Sequence, residues 1–281
     1  MSTIATILHV RARHHDWQGV GPLSIKSFYG GAARYEVAGG RHVVDGSCYL
    51  LLNAGQEYAI TVDNMTPLES FCVFFAPGFA EEVSYTLNKA TATLLDEPQL
   101  SQSAGLCFYE RTYPHDSLVS PALAKLRRGL AGSDTSLLWR DEQLHLLMAK
   151  LLLAHRRIQQ EVDGLPAIRA VTRDELYRRL YRARDYMVAS LAEPVTLAEM
   201  AQVACLSPNH FLRTFKQLFR QSPYQYLLEQ RLARAATLLQ QTTLPVTEIA
   251  SLVGFESLGS FSWRFRRHWG LAPEHYRRHH S

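Results

Sequence analysis

"VTLAEMAQVACLSPNHFLRTFKQLFRQSPYQY", residues 195–226, and "VTEIASLVGFESLGSFSWRFRRHWGLAPEHY", residues 246–276, are two versions of one pattern. Ser207/Ser257, Phe211/Phe261, Phe215/Phe265, Lys216/Arg266, Phe219/Trp269, Pro223/Pro273 and Tyr226/Tyr276 all sit fifty residues apart. Upstream the correspondence continues with small offsets, as Val195-Thr196/Val246-Thr247, Met200/Ile249 and Ala201/Ala250. Agreement in residue type and position over such a length marks a duplicated unit. Within the second copy, Leu258, Phe261, Phe265 and His268 recur at spacings of three and four after Ser257, a good N-cap residue. That periodicity predicts a helix with those four side chains along its inward stripe.

Each copy has the form of a helix-turn-helix, over about residues 195–219 and 246–269. A short first helix carries a capping signal, Thr196 with Glu199 or Thr247; a tight break follows; Ser207-Pro208 or Ser257 then opens a second helix. "YQYLLEQRLARAATLLQQ" joins the copies, and its Leu227, Leu228, Leu232, Ala235 and Leu239 mark an amphipathic helix able to hold them at a fixed separation. Charge follows the same division. The 281-residue chain has a net charge of +4, yet residues 172–281 hold 15 Arg and Lys against 9 Asp and Glu, whereas residues 1–171 hold 15 against 17. A basic, duplicated unit suits a repeating polyanion, and double-stranded DNA presents successive major-groove segments about 34 Å apart.

The C-terminal 110 residues resemble the DNA-binding domain of the arabinose-regulator (AraC/XylS) family. The resemblance covers both repeated units, Arg231, Ala235 and Leu238-Leu239 of the joining helix, and the closing "GFESLGSFSWRFRRHWGLAPEHYRR". It implies a sequence-specific transcription regulator, more often an activator working through RNA polymerase than a repressor. It also implies an N-terminal part of cupin type that senses a small organic effector or a partner, or merely supports a homodimer.

With the Phe stripe inward, the first recognition helix presents Asn209, Leu212, Arg213 and Lys216. Arg213 falls where the family usually has its base-reading arginine; Arg suits bidentate contact with guanine, and Asn209 suits adenine. On the second helix the equivalent face is Gly259, Ser262, Trp263 and Arg266. Here the chain departs from the family, which usually has Gln or Asn near Leu258 and Gly259 and an arginine at the place of Trp263. Base reading by the second unit is therefore in doubt, Trp263 being left for a thymine methyl, a sugar or partial burial. Arg264, Arg266 and Arg267 are better assigned to phosphates. Ser207, Ser257 and Ser260, near the helix starts, complete the expected DNA-binding set.

The expected fold class is α+β. Residues 1–114 form the cupin-like effector domain, with β-structure from residue 22 to about 110, where apolar runs such as "PLSIKSFY", "CYLLL", "YAITV" and "FCVFF" alternate with turn signals at Gly30-Gly31, Gly39-Gly40, Asp45-Gly46, Asn53-Ala-Gly55, Asp63-Asn64 and Pro77-Gly78. Residues 115–162 read as a helical dimerisation region. Leu137, Leu144, Leu151 and Ile158 recur every seven residues, while Leu138, Leu146, Leu152 and Leu153 widen the stripe, so dimerisation and intramolecular packing are equal readings. Residues 163–171 read as a linker, and 172–281 as the DNA-binding domain, its first helix opened by the capping box Thr172-Arg173-Asp174-Glu175.

Several functions find no support. Cys48, Cys72, Cys107 and Cys205 are scattered without metal-site or redox spacing and read as buried thiols. No stretch has the length of a signal peptide or membrane span, which points to a cytoplasmic protein with no membrane partner. A metal-dependent cupin enzyme tethered to DNA needs several converging His side chains, but "LLNAGQEYAI" has Ala54 in place of the usual proline and Glu57-Tyr58 in place of a ligand His, and His42 is the only His between Pro22 and Lys89. His14-His15 read as surface. No metal, cofactor or catalytic residue is expected; the other alternative is an architectural DNA coater without sequence preference. Tyr35, His42, Tyr49 and Tyr58, polar groups placed for a barrel interior, are the effector candidates.

Overall fold

The computed structural model describes residues 4–88, 106–132, 136–165 and 170–280. Four residues of the expected linker, 166–169, lie outside these. The chain forms one compact unit ending at Arg178 and another beginning at Arg179.

The first unit is a nearly closed antiparallel β-barrel followed by helices. Its strands are β1 (Ala5–Gly21), β2 (Ser24–Tyr29), β3 (Ala32–Val37), β4 (Gly40–Asp45), β5 (Cys48–Leu52), β6 (Gln56–Phe75) and β7 (Thr112–Pro114). They run in the order β4-β3-β6-β2-β5-β7, with β1 along the whole of β6. Turn chemistry accounts for the short hairpins: Ala38 and Gly39 both take positive φ between β3 and β4, and the Asp45 carboxylate accepts from the Ser47 amide at 2.9 Å.

Three expectations fail here. β-structure begins at Ala5 rather than residue 22; β1 is largely exposed, and its "HVRARHHDWQ" lacks the apolar density of a buried strand. Asp63-Asn64 is no turn, because β6 runs through it for 20 residues. Asn64 stays in the sheet by using its side-chain amide as a second peptide group, bonding Ala32 N at 3.3 Å and Ala32 O at 2.9 Å. Past the Pro-Gly turn, α1 (Phe79–Asn88) is a helix, with Phe79, Ala80 and Val83 buried on one side and Glu81 and Glu82 favouring the first turn.

Helices α2 (Ser120–Leu130) and α3 (Leu137–Asp163) pack on each other, and α3 also packs on α1. Of the seven-residue series, Leu144, Leu151 and Ile158 are buried within the chain itself, whereas Leu137 is exposed. Helix α4 (Ala170–Ala189) starts before the expected capping box and takes Thr172 into its first turns. Asp174 is used elsewhere: it accepts from Tyr109 Oη at 2.6 Å and from Arg178 Nε at 2.9 Å. Burial works against the Asp174 carboxylate, but these two donors hold it below the usual range.

The second unit contains α5 (Leu197–Val203), α6 (Pro208–Phe219), α7 (Pro223–Gln241), α8 (Val246–Leu252), α9 (Leu258–Trp269) and α10 (Pro273–His280). Thr196 and Glu199 form the expected capping box on α5. Thr247 does not cap α8; it is the second residue of the helix, behind Pro245. Residues fifty apart make the same contacts. Phe215 meets Tyr226 edge-on at 5.8 Å and Phe265 meets Tyr276 edge-on at 5.3 Å. The spacing of 49 at Met200/Ile249 and Ala201/Ala250 comes from one added residue: Leu206 N bonds Ala201 O and Phe255 N bonds Ala250 O, both at 2.9 Å, but Glu256 then intervenes before Ser257.

Helix α7, about 28 Å long for its 19 residues, ties these units together through Arg231. Its Nε donates to Leu191 O at 2.9 Å and its Nη2 to Glu193 O at 2.8 Å. The turn of the second unit lies against this clamp at Gly254, whose φ is +81°. A Cβ there would stand 2.3 Å from Leu191 O and 2.8 Å from the Arg231 guanidinium. Gly254→Ala therefore combines left-handed strain with a clash against backbone, and urea unfolding of the variant should show a loss of about 2 kcal/mol or more. Gly270→Ala, also at positive φ but with open space around it, should lose about 1 kcal/mol.

Candidate nucleic-acid interface and effector cavity

Phe211 and Phe215 are fully buried in α6, as are Phe261 and Phe265 in α9. Four residues on, Phe219 is half-buried against Phe215, while Trp269 packs on Phe265 yet stays exposed; Leu258 and His268, expected on the inward stripe, are exposed as well. An i, i+4 row drifts around a helix, and Tyr226 and Tyr276 meet it at the far end. The opposite face of α6 is thereby set. Asn209, Leu212, Arg213 and Lys216 are all exposed along it, and Ser207 is exposed at its start.

Helix α9 presents a different surface. Gly259 offers no side chain at the position of Asn209, and a Cβ there would meet nothing within 4 Å. Trp263 is 58% exposed, and the Arg267 guanidinium stacks over its ring at 5.3 Å, so Trp263 is not buried but orients a cation. Arg264 and Arg266 are exposed, Ser262 is half-buried, and the Ser257 hydroxyl caps α9 by accepting from the exposed Ser260 at its backbone amide, 3.2 Å away. Basic side chains thus accumulate on both recognition helices, but only α6 pairs them with an exposed amide.

Residues 200–279 match the helix-turn-helix domain family. The chain is 36% identical over 92 residues to the probable transcriptional regulator LumQ of Photobacterium leiognathi, covering 33% of this chain and 37% of LumQ. It is 39% identical over 95 residues to the HTH-type transcriptional regulator ArgR of Pseudomonas aeruginosa, covering 34% and 29%. These matches span about a third of each relative's length. A solved structure from Chromobacterium violaceum, described as a transcriptional regulator with an AraC-type DNA-binding domain, is 33% identical over 37% of this chain and 94% of its own, with a TM-score of 0.36. By class the second unit is a helix-turn-helix domain that carries the motif twice. Through it, the chain is similar to transcriptional regulators of helix-turn-helix type.

In the first unit a cavity of about 310 Å³ opens between the sheet and β1. Two effector candidates, Tyr35 and Tyr58, line it. The other two do not. Tyr49 lies opposite Ser27 in the β2–β5 ladder and so shares the face away from Lys26 and Phe28; it stacks on Tyr113 at 5.2 Å and bonds Asp116. His42 is buried beside Tyr35 in the β3–β4 ladder but is not part of the lining. His14 faces solvent and pairs with Asp63 at 3.0 Å, whereas His15 reaches the cavity lip. Among the described residues no three His, Cys, Asp or Glu side chains gather as a metal site requires, and no helix is long and apolar enough to cross a membrane. Of the cysteines, only Cys72 is buried.

Lys26 is the cavity residue that sequence reasoning missed. It is 2% exposed, its Nζ donates to Tyr58 Oη at 3.1 Å and sits 3.7 Å from the centre of the Phe74 ring. In "SIKSFY" a lysine passes for the solvent-facing member of an alternating strand; the signal against that was Phe28, two residues on and therefore on the same face. Burial pushes the Lys26 ammonium down to about 8 from 10.5. Between those values the unfolded chain holds a proton that the folded chain has released, so this group's penalty is full below pH 8 and fades as pH rises toward 10.5. Lys26→Met is expected to stabilise the protein by about 2 kcal/mol at pH 7, and the difference from wild type should shrink between pH 8 and pH 10 in urea titrations.

Proposed function

We propose that this protein is a sequence-specific, double-stranded-DNA-binding transcription regulator of the cytoplasm. In this reading it is an activator that contacts RNA polymerase, acts as a homodimer, and is controlled by a small organic effector held in the N-terminal barrel. The observation that carries the proposal is the exposed row Asn209, Leu212, Arg213 and Lys216 on a helix anchored by buried Phe211 and Phe215. Such a row has the length and chemistry to read base edges in a major groove. Helix α9 takes the positioning role, with Arg264, Arg266 and Arg267 on phosphates and Trp263 holding Arg267 in place. Regulators rather than enzymes are what the relatives' names describe, and this supports a non-catalytic reading of the barrel.

Selection from random oligonucleotides should return one site with a sharply defined half under α6 and a blurred half one helical turn away. Arg213→Ala should relax preference at one or two base pairs, each worth about 1–3 kcal/mol. Trp263→Ala should weaken binding with the preferred sequence unchanged. Equal base preference under both units, or a preference that moves with Trp263 and not with Arg213, would overturn this division; no preferred site at all would favour an architectural coater.

For the homodimer, Leu144, Leu151 and Ile158 are taken up by the chain's own core, and besides Leu137 the exposed apolar side chains of α3 are Leu138, Leu146 and Leu153. These positions return to one side of the helix after eight and seven residues, as a second copy of the same helix requires. Leu138→Lys with Leu153→Lys should give a folded monomer in sedimentation; a persisting dimer would remove this face from the assembly.

A further inference from the structure

The barrel cavity holds a positive charge without a counter-charge. None of the described residues lining it is an Asp or Glu. The groups nearest Lys26 Nζ are the Tyr58 hydroxyl and the Phe74 ring. Neither neutralises it: burial pushes the Tyr58 phenol up to about 12, so it stays protonated. Cys72, the cross-strand neighbour of Lys26, is buried, and that burial raises its thiol. A buried ammonium satisfied by one phenol and a ring face retains unmet donors and a large desolvation cost. An anionic group entering the cavity would supply both the missing charge and the missing acceptors.

The rest of the lining sets the body of such a ligand. Phe28, Ile60, Val62 and Phe74 are apolar, and Leu8, Val10 and Trp17 of β1 form an exposed apolar lip. Ser70 and the two tyrosines are the remaining hydroxyl groups, too few to replace the hydration of a sugar or polyol. One cation matches one negative charge, which excludes polyphosphates and nucleotides; 310 Å³ is at the small end for ligand pockets. We infer that the cavity takes a small amphipathic monocarboxylate, its carboxylate on Lys26 and Tyr58 and its hydrocarbon body among Phe28, Ile60, Val62 and Phe74. This rests on the barrel being the effector site and adds the chemical class of the effector.

The test is titration calorimetry on the full chain with matched pairs: 3-phenylpropionate against 3-phenylpropanol, 4-butylbenzoate against 4-butylbenzyl alcohol, and octanoate against octanol. The acids should bind wild type at least about tenfold tighter than their alcohols, the difference a charge-assisted pair supplies. Lys26→Met, checked for folding by circular dichroism, should bring each acid down to its alcohol and leave the alcohols within about threefold of wild type. Alcohols that bind wild type as tightly as the acids would overturn the carboxylate assignment while leaving the barrel as the ligand site. If neither class binds at millimolar concentration, the effector reading itself fails. Should Lys26→Met not fold, the acid-to-alcohol ratio in wild type decides alone.

Discussion

The Arg231 clamp holds together the helices of the C-terminal unit. Two recognition helices are useful on one duplex only if their separation is set before DNA arrives, since a flexible pair would lose ordering entropy on binding. Arg231, midway along α7, gives two of its donors to the backbone carbonyls of Leu191 and Glu193, where the chain leaves α4. The guanidinium plane leaves room for the turn of the second unit only because Gly254 has no Cβ. One planar cation thus fixes three segments: the exit of the first helix, the middle of the joining helix and the turn of the second unit. A lysine could not span the two carbonyls in one plane.

Buried charge has contrasting uses in the two units. In the second, Arg184 is paired at once with Asp185, its Nε on Oδ1 at 2.8 Å, and stacks over Tyr181; the pair is structural, and the carboxylate raises the Arg184 guanidinium further. In the first unit, Asp174 is likewise matched, by Tyr109 and Arg178. Lys26 is the exception, lodged against rings in the wall of a cavity. Unmatched burial of that kind costs stability, and a ligand site is where such a cost has a use.

The duplication explains why the C-terminal fold was so readable. A spacing of fifty residues carried Phe211, Phe215 and Tyr226 onto Phe261, Phe265 and Tyr276, and the structure repeats the same ring contacts at each place. Local signals were right where the partner was local, as with Thr196 and Glu199. They failed at Thr172, which lost its cap role because α4 already begins at Ala170, and at Asn64, where a distant residue outbid them. Asn64 read as a turn residue, yet its amide bonds Ala32, 32 residues back, and keeps β6 extended. Strand β1 escaped notice because an edge strand needs little apolar content when its partner β6 is buried for it.

Periodicity and repetition, which depend only on the geometry of the helix, determined from the sequence alone that two helix-turn-helix units exist, that Phe211, Phe215, Phe261 and Phe265 face inward and that Arg213 and Lys216 share the outward face. Only the tertiary structure decided which side of a strand or helix another segment would cover. That choice left Tyr58 in the cavity and Tyr49 outside it, closed Leu144 and Leu151 into the chain's own core, exposed Trp263 as a platform for Arg267, and buried Lys26. Side-chain alternation specifies that a strand has two faces; which of them becomes the interior is set by β1 and β6, segments far away in the chain.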